Sequence, residues 1–170
     1  NTIAVGCYAA SFVQRVRGRR TSGKALGLAG LAAASVGGYL GGHLAYRQSI
    51  GANHTDRTPY VVSDGWHYVA ELMDLEDGAM TARMVGTIPV LIHRDGQRIR
   101  AIADECSHQA GPLHDGELKE CADGAPCVVC PWHGSTFALS DGAVVHGPAT
   151  SPQPHFDTRI HDGAVEVRLA

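Results

Sequence analysis

The sequence predicts an all-β domain of antiparallel sheets preceded by an α-helical transmembrane hairpin, and three observations carry this prediction. The N-terminal part is rich in Gly, Ala and Leu and contains a long stretch without charged residues. The remaining sequence consists of short β-type runs separated by Asp-Gly pairs and prolines. Two connections between these runs each carry one cysteine and one histidine, which marks them as candidate metal-binding loops.

The change in composition divides the chain into a helical hairpin at 1–50, a linker at 51–59 and a β domain at 60–170. No methionine begins the chain and Asn1 opens directly into apolar sequence, so we expect it to start within a longer protein. The formal net charge of −3 at pH 7 argues against nucleic acid as a partner.

The apolar stretch from Ala25 to Tyr46 holds no residue of fixed charge. As a helix it would measure roughly 30 Å, the thickness of the hydrocarbon core of a bilayer. A second uncharged run, 1–14, is too short to span and fits the end of a helix that starts upstream. A buried helix of a soluble protein is the alternative. We expect His43 to be a packed or interfacial residue rather than a haem ligand or proton relay, because neither apolar run offers a second histidine.

Small residues in the apolar stretch offer a surface for contact between membrane helices. Gly38 and Gly42, like Gly37 and Gly41, are four residues apart and share a helix face, which would permit close helix–helix contact. Passive small residues would give the same pattern.

Positive charge is concentrated between the two apolar runs rather than after the second one. The basic residues between the runs are Arg15, Arg17, Arg19, Arg20 and Lys24. The positive-inside rule therefore predicts that this connection lies in the cytoplasm and that the β domain lies on the extracytoplasmic side of the membrane.

Three Asp-Gly pairs predict β-hairpins, because Asp-Gly readily adopts the positive φ angles of a type I′ turn. The flanking runs are TIPVLIH and RIRAIA around Asp95-Gly96, TFAL and AVVH around Asp141-Gly142, and FDTRIH and AVEVRL around Asp162-Gly163. Short strands at this spacing indicate a small sandwich or barrel-like domain.

Two segments combine a thiol with an imidazole: CSH, from Cys106 to His108, and CPWH, from Cys130 to His133. Zinc bound by two Cys and two His is one interpretation, but the usual zinc knuckle joins like ligands through two to four intervening residues. A [2Fe-2S] cluster explains the pairing better. Two thiolates would hold one iron and two imidazoles the other, with one of each from either segment.

CSHQAGPL followed by CPWHGSTF resembles the two cluster-binding boxes of the Rieske iron–sulfur proteins. The resemblance runs from about residue 58 to the C-terminus and includes GPATSPQP at 147–154, which looks like the proline-containing loop that the family packs near its cluster. It implies an antiparallel β fold with a [2Fe-2S] cluster at the tips of two loops. It also implies that Cys106 and Cys130 hold the inner iron, and that His108 and His133 hold the outer, more exposed iron.

The chain departs from the high-potential Rieske proteins of quinol-oxidising complexes. Those relatives carry a disulfide at the positions of Gly111 and Trp132, and they hydrogen-bond the cluster through a serine and a tyrosine. Ser135 matches the serine, whereas Phe137 stands at the tyrosine position. We therefore expect Ser135 and Trp132 to lie beside the cluster and the reduction potential to be lower than in those relatives, as in the ferredoxin-like class.

The resemblance implies one-electron transfer with a redox partner protein, and no catalytic residue is assigned. An oxygenase would need a mononuclear iron site in an appended domain, whereas this chain ends soon after Leu169. The alternatives are a redox-sensing or structural iron–sulfur module, and an electron-donor subunit of an oxygenase acting in trans.

The remaining cysteines and histidines have weaker signals. Cys121 and Cys127 allow three interpretations, namely spare metal ligands, free thiols or a local disulfide. We expect Cys7 to be a packed apolar residue. The histidines expected at solvated loop, surface or strand positions are His54, His67, His93 and His114.

The membrane part has a looser resemblance of its own. GYLGGHLAYR looks like the final helix of a family of small bacterial membrane domains, uncharacterised in function, which occur fused to Rieske domains. The resemblance covers about the first fifty residues and implies that they are the C-terminal part of a larger helical bundle.

Overall fold

The computed structural model describes residues 1–170 and divides into two compact units, Asn1–Gly51 and Ala52–Ala170. The first unit is a helical hairpin of α1 (Thr2–Val16) and α2 (Arg20–Gly42), and α2 continues into one π-helical turn (His43–Arg47). The predicted helical hairpin is therefore confirmed as a helical structure.

Close packing of α1 against α2 depends on glycines of α2. A Cβ atom added at Gly23 would lie 3.1 Å from the backbone oxygen of Ser11, and one added at Gly30 would lie 3.2 Å from Cβ of Cys7. The Ser11 hydroxyl also donates a hydrogen bond to the Gly23 carbonyl. These small residues allow the two helix backbones to approach closely.

The glycine pairs singled out in the sequence mostly do not face α1. A Cβ atom at Gly38 or Gly41 would meet nothing within 4 Å, and one at Gly42 would meet only a side chain of its own helix end. Gly37 is the exception, since it lies against the Asn1 side chain. The spacing identified a glycine-rich helix but not the face that packs.

The segment Arg20–Arg47 is long and apolar enough to cross a membrane. Its most apolar 18-residue window has a mean hydropathy of 1.3, and only 6% of that window is buried. The apolar side chains of α2 are thus largely uncovered within this chain.

The second unit begins with a short helix, α3 (Thr58–Val61), and contains ten strands in two antiparallel sheets. The larger sheet has the order β1-β10-β9-β4-β3-β2, and the smaller one has the order β5-β6-β7-β8. The strands are β1 (His67–Glu71), β2 (Met80–Val85), β3 (Ile88–Asp95), β4 (Arg98–Ala103), β5 (Glu117–Glu120), β6 (Pro126–Val129), β7 (Thr136–Ala138), β8 (Val144–His146), β9 (His155–His161) and β10 (Ala164–Leu169). This architecture confirms the predicted all-β antiparallel domain.

Two hydrophobic cores flank β3, which explains its nearly continuous apolar sequence. Val90 and Ile92 pack in one core with residues of β1, β9 and β10. Leu91 points to the other face and packs in a second core with Phe137 and both Cys106 and Cys130. A strand buried on both faces loses the alternation of polar and apolar residues. The second core supports the candidate metal centre.

All three predicted hairpins form, although only one has the predicted turn. Asp162 and Gly163 both have positive φ angles, 50° and 87°, as a type I′ turn requires. Between β3 and β4 the two loop residues are Gly96 and Gln97, because Asp95 still pairs with Arg98. The Asp141-Gly142 pair lies in a longer connection between β7 and β8.

Cys121 and Cys127 are joined by a disulfide. The two residues lie on either side of the connection between β5 and β6, and the Cys121 N–H donates to the Ala125 carbonyl at 2.7 Å. Of the three interpretations, the structure therefore supports the local disulfide, and neither cysteine is a spare metal ligand.

His93 gives the folded domain a sensitivity to acid. Its side chain is buried in β3, its Nδ1 has no hydrogen-bond partner, and burial, followed by the charge of Arg100, lowers its pKa. The unfolded chain takes up a proton near pH 6.5 that the folded chain excludes, so stability falls as the pH drops below about 6.5.

We expect His93→Phe to remove this part of the acid sensitivity. The wild-type free energy of unfolding should fall more steeply than that of the variant between pH 7.5 and 5.5, by up to about 1.4 kcal/mol per pH unit. Urea unfolding at several pH values measures the difference. Parallel pH profiles for the two proteins would contradict it.

Candidate metal centre

The first Cys/His segment forms a closed turn, residues 106–111, in the connection between β4 and β5. The Cys106 N–H donates to the Gly111 carbonyl at 2.8 Å, and the Ala110 N–H donates to the Cys106 carbonyl at 2.7 Å. Ala110 has a φ angle of 57°, in the left-handed region that glycine adopts at lower cost. Cys106 therefore lies at the base of this turn, which we call the first turn.

The second Cys/His segment, residues 130–135, forms a turn of the same design between β6 and β7. The Cys130 N–H donates to the Ser135 carbonyl at 2.8 Å, and the Gly134 N–H donates to the Cys130 carbonyl at 3.1 Å. Gly134 has a φ angle of 75° and takes the place that Ala110 has in the first turn. The two turns thus present their cysteines in equivalent backbone settings.

The thiols of Cys106 and Cys130 lie together in the second core. Cys106 is 1% exposed and Cys130 is 3% exposed. Burial raises the pKa of Cys106 to about 11, and the neighbouring Cys130 contributes to the rise. A buried thiol pair of this kind becomes a thiolate pair when positive charge, such as a metal, is bound beside it.

The imidazoles of His108 and His133 form a second pair. Their ring centroids are 4.9 Å apart and the rings are nearly perpendicular, at 88°. His108 is half-buried and His133 is exposed, so the imidazole pair lies nearer the surface than the thiol pair. The sequence predicted this difference in exposure.

His108 has a ring nitrogen suited to metal binding. Its Nδ1 is buried and has no hydrogen-bond partner in the protein. Burial lowers the pKa of His108, and the neighbouring His133 and His54 lower it further. A neutral imidazole offers a lone pair to a metal, whereas a protonated one does not.

The loop 147–154, called the third loop, is bonded to the first turn and its flank. The Ser107 hydroxyl donates to the Ser151 carbonyl at 2.7 Å, and Nε2 of Gln153 donates to the Glu105 carbonyl at 2.9 Å. Ser107 and Gln153 are both buried. These bonds hold the third loop beside the first turn, as the sequence resemblance implied.

The third loop is also bonded to the second turn. The Ala149 N–H donates to Oγ of Ser135 at 3.0 Å, and both residues are buried. The Ser135 hydroxyl makes no other side-chain hydrogen bond, so its own proton remains available for an acceptor within the site. The third loop is consequently bonded to both turns.

Gly111 and Trp132 touch each other across the site. A Cβ atom at Gly111 would lie 3.0 Å from the Trp132 ring and 3.1 Å from Sγ of Cys130. The Trp132 ring is also 6.4 Å from the His133 ring and remains 57% exposed. An aromatic contact thus links the two positions that a disulfide links in the quinol-oxidising relatives.

Asp104 fixes the chain that leaves the first turn. One oxygen of its carboxylate accepts the His114 backbone N–H at 2.8 Å. The other oxygen lies 2.6 Å from Nδ1 of the His114 ring. Asp104 is buried, whereas the His114 side chain is 33% exposed, so these bonds are partly shielded from water. His114 therefore lies in a loop, as expected, but its ring is paired with a carboxylate.

The arrangement of the four predicted ligands fits a binuclear group. No three His, Cys, Asp or Glu side chains of the chain converge on a single metal-sized point, as a zinc site would require. The two thiols lie together and the two imidazoles lie together instead. With the unpartnered Nδ1 of His108, this donor set suits two unequal irons.

The domain has two antiparallel sheets, and two of its turns present a pair of thiols and a pair of imidazoles. These features define a β domain that binds a metal cluster. Residues 65–157 match the family model of the Rieske [2Fe-2S] domain. The chain belongs to the Rieske family: its cofactor is a [2Fe-2S] cluster, and its activity is Rieske-type electron transfer.

Ferredoxins of bacterial dioxygenases are among its relatives. The chain is 33% identical over 104 residues to the anthranilate 1,2-dioxygenase ferredoxin subunit of Burkholderia cepacia, a match that covers 61% of this chain and 92% of the relative. It is 30% identical over 103 residues to ferredoxin CarAc of Metapseudomonas resinovorans, covering 60% and 92%. The solved ferredoxin of carbazole 1,9a-dioxygenase from Nocardioides aromaticivorans IC177 is 29% identical with a TM-score of 0.56, covering 64% of this chain and 100% of that one.

Proposed function

We propose that this chain is a membrane-anchored one-electron carrier whose cluster is held by Cys106 and Cys130 on one iron and by His108 and His133 on the other. One observation carries the ligand assignment: two turns with the same backbone hydrogen bonds bring their thiols into one pair and their imidazoles into another. When bound, the cluster supplies a one-electron redox couple, and the protein binds it, sets its potential and leaves the His133 edge exposed to a partner.

Ser135 acts on the potential of the site. Its oxygen accepts the Ala149 N–H, and its proton has no protein acceptor, so it is placed to donate to a cluster sulfur. Donors to sulfur stabilise the reduced, more negative state. Because Phe137 has no hydroxyl, one such donor is missing, and we expect a reduction potential below about +200 mV.

We expect Phe137→Tyr to raise the reduction potential. Phe137 is fully buried in the core that contains both cysteines, so the new hydroxyl enters the environment of the cluster. A hydrogen bond to a charged group contributes about 1.5–3 kcal/mol, which corresponds to about 60–130 mV for a one-electron couple. Protein-film voltammetry measures the shift.

The matched control is Phe156→Tyr, since Phe156 is buried in the other core. This variant should keep the wild-type potential. A potential of Phe137→Tyr that is equal to or below the wild-type value would contradict the assigned role of the missing hydroxyl.

The proposed membrane anchor rests on α2 and its π-helical extension. The segment has the length and hydropathy of a span, and the low buried share of its apolar window disfavours the core helix of a soluble protein. The close α1–α2 packing through small residues is typical of membrane helices. Carbonate extraction of membranes from cells that express the full chain tests the anchor, and release of the protein into the supernatant would contradict it.

We place the cluster domain on the extracytoplasmic side. The basic connection between α1 and α2 favours the cytoplasm by the positive-inside rule. The Cys121–Cys127 disulfide agrees with an oxidising compartment for the domain. Single cysteines introduced in the connection and in the domain, treated with an impermeant reagent, test this topology. Exclusive labelling of the connection from outside would overturn it.

The relatives favour a second candidate for the electron acceptor. Two of them are ferredoxins, one of them the ferredoxin subunit of anthranilate 1,2-dioxygenase, which favours an oxygenase component acting in trans as the recipient of the electron. Oxidation of the reduced protein by a candidate oxygenase, followed by stopped-flow absorbance, separates this role from transfer to other carriers. Binding without electron transfer would favour a redox-sensing or structural module.

Electron paramagnetic resonance of the dithionite-reduced protein tests the ligand assignment. Mixed Cys/His ligation makes the two irons unequal and gives a lower average g value than ligation by four cysteines. Zinc gives no signal. An all-cysteine type of spectrum, or a protein without iron and acid-labile sulfide after anaerobic reconstitution, would overturn the proposal.

A further inference from the structure

Residues 53–58, called the docking segment, lie outside the part of the chain that matches the Rieske family model. They are nevertheless packed on the β domain, with Thr55 and Thr58 each only 2% exposed. Asn53 shapes the segment, because its side-chain oxygen accepts both the N–H of Thr55 at 3.0 Å and its hydroxyl at 2.8 Å. The segment that enters the β domain is thus held in one conformation.

The docking segment contacts the first turn. The His54 N–H donates to the Ser107 carbonyl at 3.0 Å, and Ser107 lies between the two proposed ligands of that turn. One residue before the turn, Glu105 forms an ion pair with Arg57 at 3.2 Å. This pair is partly exposed and contributes little stability by itself. The backbone bond from His54 is the specific contact with the ligand-bearing chain.

The His54 side chain has an unused polar atom at this place. Its Nε2 is buried and has no hydrogen-bond partner in the protein. A buried polar atom without a partner costs about 1–3 kcal/mol, and in the tautomer that carries the proton on Nε2 this atom requires an acceptor within the site. The backbone bond to Ser107 places His54 beside the residue that separates Cys106 from His108. The His54 residue as a whole is half-buried and lies in a turn before α3.

We propose that His54 is a further cluster-site residue, whose Nε2–H donates a hydrogen bond to a sulfur atom of the cluster or its thiolates. The inference rests on the proposed cluster ligation. Thiolates and sulfides accept hydrogen bonds, and a donor directed at them stabilises the state with one more electron. The docking segment then supplies a donor from outside the family match, in a chain that lacks the hydroxyl at Phe137.

Two variants of the full chain separate this role from simple packing. His54→Phe keeps the ring and removes the N–H donor, whereas His54→Gln removes the ring and keeps an N–H donor. We expect His54→Phe to lower the equilibrium constant for cluster reduction about tenfold, which is 59 mV for a one-electron couple. His54→Gln should stay nearer to the wild-type value. The matched control is His161→Phe, at the exposed end of β9.

The reduction potentials of the two variants, compared with that of the wild-type protein, decide the inference. A wild-type potential in His54→Phe together with a shifted potential in His54→Gln would show a packing role and overturn it, as would a raised potential in His54→Phe. Loss of the cluster from His54→Phe alone supports the donor role, whereas loss from His54→Gln alone or from both variants overturns it. If the wild-type protein itself lacks the mixed-ligand resonance signal, the proposed ligation fails instead.

Discussion

Replacing Cys106 with alanine is expected to abolish cluster binding. The thiol lies at the base of the first turn, beside the Cys130 thiol, and is proposed as one of only two sulfur ligands of the inner iron. The second core contains no third cysteine that could replace it. We expect iron and acid-labile sulfide to fall to roughly a tenth of the wild-type content or less.

Cys7→Ala is the matched control, since Cys7 is a free cysteine in α1. It should retain the visible absorption and the resonance signal of the wild-type protein. Circular dichroism should show that Cys106→Ala keeps its β structure, because the core between β1, β3, β9 and β10 does not include the cysteine. A full complement of iron and sulfide in Cys106→Ala would contradict the ligand assignment.

The local parts of this site follow from the sequence because each is specified by a few neighbouring residues. The spacing from Cys130 to His133, followed by Gly134, predicts both the donor atoms and a turn with a positive φ angle. The Asp162-Gly163 pair specifies its hairpin in the same way. Such patterns need no knowledge of the rest of the chain.

The supporting contacts were not predictable because they join residues far apart in sequence. Ser107 and Ser151 are 44 residues apart, as their hydrogen bond shows only after folding. His54 has no ligand-like spacing, and its position beside the first turn depends on the packing of the docking segment. The role of Asp104 is more local, since a carboxylate just before a turn is well placed to accept backbone N–H groups of the chain that follows.

The N-terminal unit shows a different limit of sequence analysis. The period of small residues identifies α2 as a helix suited to close contact, but several faces of the helix carry glycine. The structure places Gly23 and Gly30 against α1 and leaves Gly38 and Gly41 without a neighbour.

Gly142→Ala is expected to produce the largest loss of stability. Gly142 has a φ angle of 74°, and an added Cβ atom would overlap the carbonyl oxygen of Gln153, which is backbone and has little freedom to move. The left-handed conformation alone costs a non-glycine residue about 1–2 kcal/mol. With the overlap, we expect a loss of about 4 kcal/mol in the free energy of unfolding, measured by urea denaturation.

Gly78→Ala separates the two causes, because Gly78 has a φ angle of 79° and a Cβ atom there would meet nothing within 4 Å. It should lose only about 1–2 kcal/mol. The difference reports the contact between Gly142 and the third loop, where the Gln153 N–H donates to the Gly142 carbonyl and the Gln153 side chain to Glu105. Because that chain of bonds ends beside the first turn, Gly142→Ala should also release the cluster faster than Gly78→Ala. Cluster release is followed as bleaching of the visible absorption. If the two variants lose the same stability and bleach at the same rate, the third loop does not support the metal centre.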